Sequence, residues 1–592
     1  MSRWGPLFQR FAMVPAVWKC RIVLATMGVA AAGILSGCGS EKPTEPAQPD
    51  PTWRVVSTSM ALNDLWGPTI DTVLAVGESG SVFRYNGESW SAYSSPTSRM
   101  LNGVWAFSLN DIYAVGDSGT IVHFDGSYWS GINTGVGVDL NEIMGVAQDD
   151  IYAVGDSGLI LHYDGTDWTP YYHPGNNDLY GIWIDSLTYG LAVGENGTML
   201  KLENDQWAGI RSLTTHTLRA VQSWPTESFY IVGDSGTVIR NYSDVWEMLD
   251  PQTTEDLYDV SVGEMDLVDA VGTGGILAHF DGLSWMTFQA VVGSNLRAVW
   301  GHWWQNGLVV GDRYPIMRFN YGMTPLRSPA ECDLFGIFAI GEHAFAVGEE
   351  GVIRHFDGRV WSFMASGVDV NLQKIWGTGP DNLYAVGPGG LVLHYDGVRW
   401  GEMATEVSAA LTSIWGLSES SIYAVGQQAT VLHFDGSEWS VRSSGLGLTL
   451  WGIGGFADSA LLAVGSSGAL LFGDGATWEY DTAGYTNPML DVHAIAPGLA
   501  LAVGANGSVF RHDGVNWTKM TAPVSSWLYG VWGFRERKAF AVGIGGTILH
   551  FDGFNWTEMS SPTTSRLLDV WGTSYDDVWA VGEFGTVLRL SR

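Results

Sequence analysis

The chain writes almost the same stretch twice in succession. "DIYAVGDSGTIVHFDGSYW" runs from Asp111 to Trp129, and "DIYAVGDSGLILHYDGTDW" runs from Asp150 to Trp168, 39 residues later. Aligned on the leucine that opens each unit, the pattern recurs from Leu62, Leu101 and Leu140 through Leu490, Leu528 and Leu567. There are fourteen units, spaced 38 to 40 residues apart. A repeat of this length cannot bury both of its own faces, so successive units must stack. This excludes most other arrangements for residues 53–592.

Within a unit the periodicity is that of short strands. In the second unit "LNGVW" (Leu101 to Trp105) reads as strand a, "DIYAVG" (Asp111 to Gly116) as strand b and "TIVHF" (Thr120 to Phe124) as strand c. "DSG" turns the chain between b and c, with its glycine free to adopt positive φ. "DG" at Asp125 and Gly126 is a tight hairpin turn, and Trp129 opens strand d. No unit carries a 3.6-residue period. Four antiparallel strands per repeat make the blade of a β-propeller, and the 77 glycines and 29 tryptophans suit many short strands and tight turns.

The expected fold class is therefore all-β: a β-propeller of fourteen four-stranded blades, as two tandem seven-bladed rings or as one fourteen-bladed ring. "WRVVST" (Trp53 to Thr58) looks like a strand d with nothing before it, and the last unit ends at "TVLRLSR" without a strand d. Unit seven ends "RFNYGMTPLRSPAECD" (Arg318 to Asp333), without the "DGxxW" turn. With two rings, Trp53 is expected to close the first onto unit seven, and the segment Met323 to Ser328 the second onto unit fourteen. The domains are then 53–333 and 334–592.

The pattern "AVGxxGxIxHxDGxxW" resembles the propellers of the photosystem-assembly family. The turn is similar to the Asp-box of sialidase-type (BNR) propellers, although its Asp-to-Trp spacing is one residue shorter. The resemblance covers nearly all of the chain after the leader. It implies a propeller fold and a role in assembling or escorting other proteins; the Asp-box likeness implies a carbohydrate-binding or glycosidase-type alternative.

The first 37 residues read as an export leader: a basic stretch with Arg3, Arg10, Lys19 and Arg21, then the apolar run Ile22 to Leu35, short for a span of ~20 residues. "LSGC" resembles a bacterial lipobox, making Cys38 the lipidated N-terminus. Residues 38–52, rich in proline, form a tether. By resemblance to the sorting rule of enterobacterial lipoproteins, Gly39 in place of an aspartate after the cysteine implies an outer-membrane or cell-surface address. After Cys38 the chain has 25 basic and 62 acidic side chains, a net charge of −37. Such a field repels nucleic acid and anionic lipid, so the membrane is reached through the lipid. Cys332 is then the lone thiol, and no intrachain disulfide forms.

Two residues before the "DG" aspartate, thirteen of the fourteen units carry His, Arg or Lys, among them His123, His162 and His550. A catalytic group is needed once; a group needed in every blade is scaffold. "GDSG" at Gly116, Gly155 and Gly233 resembles a protease nucleophile loop, but it recurs and has no histidine set aside as base. The "GxGxxG" look-alike near Gly543 precedes no helix.

Function is expected in departures from the repeat. The residue after the strand-b glycine is acidic at Glu78, Asp117, Asp156, Glu195, Asp234 and Asp312, but in units eight to fourteen only at Glu349 and Glu583. These six form an expected binding rim for a basic partner or for calcium, the one cofactor considered. Trp303 and Trp304 are expected aromatic contacts, and Trp451 and Trp527 mark further departures. No catalytic residue stands out. The reading is a secreted, lipid-anchored scaffold that binds or helps assemble envelope proteins.

Overall fold

In the computed structural model the described residues are 52–591, apart from 57–59, 187–188, 204–205, 225–227, 243–244, 264–265, 290–293, 302–306, 313–315, 320–322, 326–328, 443–446, 475–476, 481–484 and 535–537. The leader, Cys38, the tether before residue 52, and Trp303 and Trp304 lie outside them.

The described strands form fourteen four-stranded antiparallel sheets, one per unit. In unit two strand a is Leu101–Ser108, strand b Asp111–Gly116, strand c Thr120–Phe124 and strand d Trp129–Ile132. Strand a outruns its expected end by three residues; the other three match. Unit twelve opens on Met489 rather than Leu490: Met489 pairs with Gly504 as Leu140 pairs with Gly155.

The core lies between blades. Leu101, Val104, Ile112 and Val122 of unit two pack with Leu74, Val76 and Val82 of unit one. Tyr113, Val115 and Ile121 face the other way, onto Leu140, Ile143 and Ile151 of unit three. Strand b is thus buried on both faces, which explains its unbroken apolar run. Each such Leu, Ile or Val contributes about 1.5–3 kcal/mol on full burial.

Two glycines of unit two are fixed by geometry. At Gly116, which ends strand b, a Cβ would lie 1.9 Å from the Met100 carbonyl oxygen of the crossing d–a loop. In the b–c turn Ser118 and Gly119 both have left-handed φ, 53° and 70°. The serine therefore shares the conformation expected of the glycine alone. At the hairpin, Asp125 Oδ1 accepts from the Ser127 and Tyr128 N–H groups, each at 2.8 Å. Trp129 lies over Phe124 with centroids 5.4 Å apart.

Adjacent units are latched by side chains. Where the residue before an opener is Asp or Asn, it caps the preceding unit's b–c turn: Ser118 N–H donates to Asp139 Oδ1 and Ser157 N–H to Asp178 Oδ1, each at 2.7 Å. The residue after the opener reaches forward: Asn63 Nδ2 donates to the Leu101 carbonyl at 2.9 Å, and Asn102 Nδ2 to that of Leu140 at 3.0 Å.

These contacts reveal the order of units. Strand a of unit one (Leu62–Thr69) lies beside strand a of unit seven (Leu296–Trp300). Strand a of unit eight (Leu334–Ile340) lies beside that of unit fourteen (Leu567–Ser574). Unit fourteen meets unit eight by the usual blade-to-blade contacts: Phe584 N–H donates to Asp333 Oδ1 at 2.9 Å, and Ile337 N–H to Asp569 Oδ2 at 2.8 Å. Units one and eight touch where Phe83 meets Phe363 edge-on at 4.8 Å.

The expected closure is exchanged. Thr52–Val55 completes the sheet of unit fourteen, not seven, with Trp53 opposite Leu590. Met323–Pro325 completes unit seven, not fourteen, with Thr324 opposite Arg318. Only residues 320–322 separate Met323 from strand c of its own unit (Ile316–Phe319). A hairpin this short loses far less chain entropy than a pairing with a strand 260 residues away.

Candidate functional site

In units two, three and nine the recurring histidine is held by its own blade. His123 Nε2 lies 2.8 Å from Asp111 Oδ1, and its ring stacks on Tyr113 at 4.1 Å. His162 repeats this with Asp150 and Tyr152. In unit nine Asn382 and Tyr384 serve His394. The partner is the first residue of strand b, not the nearby turn aspartate, whose acceptor oxygen is already committed to turn N–H groups. Burial lowers the pKa of His394, His433 and His550, which favours neutral rings.

The six rim acids lie in the b–c turns, one per blade. Asp117 Oδ1 accepts from Asn102 Nδ2 at 3.3 Å, and Asp156 Oδ1 from Asn141 Nδ2 at 3.1 Å. Asp234 and Asp312 pair with Arg219 and Arg297, each at 2.7 Å. Glu78 Oε2 accepts from the Ala61 N–H at 3.2 Å. Glu195 stands near Tyr180, whose hydroxyl is pushed up to about 12 by burial first and then by Glu195 and Asp178. Asp156 is raised by burial and by its neighbours Asp178, Asp139 and Glu195. Among the described residues no three Asp, Glu, His or Cys side chains converge as metal ligands.

On the same face, units eight to fourteen present apolar groups. Trp451, the second residue of its strand a, is 40% exposed; Trp527, just before Leu528, is 38% exposed. Phe584, in the b–c turn of unit fourteen, is 69% exposed. Trp451 walls a groove of about 480 Å³ shared with Val370, Pro388, Leu411, Thr412 and Gln427.

Sequence reasoning missed the axis. The third residue of strand a in units one to seven reads Asp64, Gly103, Glu142, Gly181, Ala220, Asp259 and Ala298. The three acids line a cavity of about 300 Å³ with Trp66, Trp105, Trp183 and Trp300. Asp64 accepts from the Leu65 and Val104 N–H groups, each at 2.7 Å. Asp259 accepts from those of Val260 and Val299 at 2.7 and 2.8 Å. Glu142 accepts through Oε1 from the Ile143 N–H at 2.8 Å. Burial, then the charge of Asp259, pushes Asp64 up to about 8. Burial raises Asp259 to about 6. Burial, then Asp64, holds Glu142 well above the usual range.

In units eight to fourteen the same position reads Gly336, Lys374, Ser413, Gly452, Asp491, Gly530 and Asp569. Here Lys374 Nζ donates to Asp569 Oδ1 at 2.7 Å. Burial opposes the charge on Lys374, but Asp491 and Asp569 raise its pKa. The signal in both halves was the third strand-a residue, invisible to a motif search because it varies from unit to unit.

No family model matches the chain, and no curated protein matches it. It is similar to several solved structures. With YCF48 bound to a D1 peptide it shares 16% identity over 47% of this chain and 99% of that one, at a TM-score of 0.39. With the extracellular domain of the hybrid two-component system BT3049 from B. thetaiotaomicron it shares 9% over 91% of this chain and 83% of that one, at 0.39. With PorZ, a surface component of the type-IX secretion system of Porphyromonas gingivalis, it shares 10% over 91% and 87%, at 0.42. At these levels the comparisons add nothing to the propeller repeat already described.

Proposed function

We propose that the chain is an exported, lipid-anchored scaffold of two seven-bladed propellers that binds another envelope protein through the b–c face of units eight to fourteen. Contacts between units seven and one, and between fourteen and eight, support the two rings. The observation that carries the binding reading is the Trp451 groove with Trp527 and Phe584 on the same face. Large apolar side chains kept in water on one face, where the first seven units place partnered acids, favour a protein interface. The rim acids then serve first as latches between strands and turns, and their charge steers a basic partner.

The glycosidase-type alternative needs two carboxylates free to reach the sugar. Both oxygens of Asp64 and of Asp259 already accept backbone N–H groups, which leaves Glu142 alone. This favours binding over hydrolysis.

The test places a photo-crosslinking amino acid at position 451 in cells and identifies the adduct by mass spectrometry. One dominant envelope protein, absent when the crosslinker sits at Tyr128 in the c–d hairpin turn of unit two, supports the reading. Adducts alike from both positions overturn it.

A further inference from the structure

Two observations point to a ligand at the axis of units one to seven. The first is the cavity itself. Its floor carries Asp64, Glu142 and Asp259, and no Lys, Arg or His is among its lining residues. One oxygen of Glu142 has no partner among the described residues, while the other accepts from Ile143. Two residues further along strand a, roughly 6–7 Å away, stand the rings of Trp66, Trp105, Trp183 and Trp300. The lining extends from the third to the sixth residue of strand a, so the tryptophans stand between the carboxylates and the a–b loops.

The second observation is internal to the chain. At the same repeat position, units eight to fourteen supply their own ammonium: Lys374 Nζ bonds to Asp569 and feels the charge of Asp491. Units one to seven set out more carboxylate and put Gly103 where that lysine would stand. The second half therefore shows which group a cluster of this design accepts.

We propose that the axial cavity of units one to seven binds one primary alkylammonium group, entering past the tryptophans to bond Glu142 beside Asp64 and Asp259. An aromatic collar attracts a cation through ring faces, and a buried carboxylate gives a charge-assisted hydrogen bond. The reach of a four-carbon stem suits the two layers. A neutral polyol brings no positive charge to pair with Glu142, Asp64 or Asp259. A single metal ion is disfavoured because the carboxylates do not converge on one point. The group arrives either as a lysine side chain of a protein or as a free small amine.

The experiment titrates the full mature chain with Nα-acetyl-lysine methylamide, with cadaverine and with the uncharged norleucine analogue. Affinity is read by calorimetry and stability by melting temperature. Both amines should bind and raise the melting temperature, and the norleucine compound should do neither. Stronger binding of the lysine amide assigns a protein side chain, and stronger binding of cadaverine a free amine. Glu142→Gln, which keeps the acceptor for Ile143 N–H, should weaken the amine at least about tenfold, as expected for loss of one charged hydrogen bond, without lowering the melting temperature of the unliganded protein. Equal response to the norleucine analogue, no amine binding at tens of millimolar, or full affinity in Glu142→Gln would each overturn the proposal. Lys374→Met reports independently: amine affinity unchanged in that variant supports the axis of units one to seven, and loss of affinity contradicts it.

Discussion

Trp53 lies opposite Leu590, so the first strand of the described chain completes its last sheet. The indole is buried and meets Phe540 edge-on at 5.8 Å. Closure removes an open edge at strand c of unit fourteen (Val587–Ser591). Trp53→Ala should cost about 3–5 kcal/mol, the range for emptying a buried tryptophan site. A chain starting at Val56 should self-associate through that edge. Monomeric behaviour of the shortened chain in analytical ultracentrifugation would contradict the pairing.

The axial acids give stability a pH dependence of definite sign. Their folded pKa values lie above unfolded ones, so the folded state holds extra protons between the two. Stability from this source is present at acid pH and falls as pH rises from about 4, through about 6 for Asp259 and about 8 for Asp64. Each proton involved gives a slope of about 1.4 kcal/mol per pH unit. Glu142→Gln should flatten the fall in melting temperature between pH 5 and 8.5. A curve as steep as that of the parent would refute the assignment.

The rim can be stripped of charge without losing its carbonyls. Replacing Asp117, Asp156 and Asp234 together with Asn breaks the Arg219 ion pair and alters two Asn contacts. A loss of about 1–3 kcal/mol is expected from these part-buried polar contacts. Calcium should leave the melting temperature of the parent unchanged. A large calcium-dependent rise, absent from the triple variant, would instead make the rim a cation site.

Much of this was legible in the chain, and for physical reasons. Period-two alternation, the acceptor oxygen of Asp125 and the crossing carbonyl above Gly116 are local requirements, so each leaves its mark in most units. The role of His123 followed from repetition, although its partner, Asp111, lies across the sheet and was not recognised. Closure was misassigned because unit seven makes a strand d without the "DGxxW" signal. The axial acids were missed because Asp64, Glu142 and Asp259 are distant in sequence and come together only around one cavity of the fold.

Lipidation rests on the residues "LSGC". Cys38→Ser should move the protein from the membrane to a soluble fraction and abolish labelling by a tagged fatty acid. Unchanged fractionation, with no label on the parent, would contradict it.

The central claim is that repeated polar groups hold the blades while unrepeated groups on one face bind. It is tested most directly by comparing His123→Ala with the double variant Trp451→Ser and Phe584→Ser, measuring melting temperature and crosslinking yield to the partner captured from position 527. His123→Ala should lose about 1–3 kcal/mol by leaving Asp111 short of a partner, and crosslink normally when folded. The double variant should melt like the parent and lose the crosslink. A stable His123→Ala protein that no longer crosslinks, beside a double variant that still does, would contradict the account.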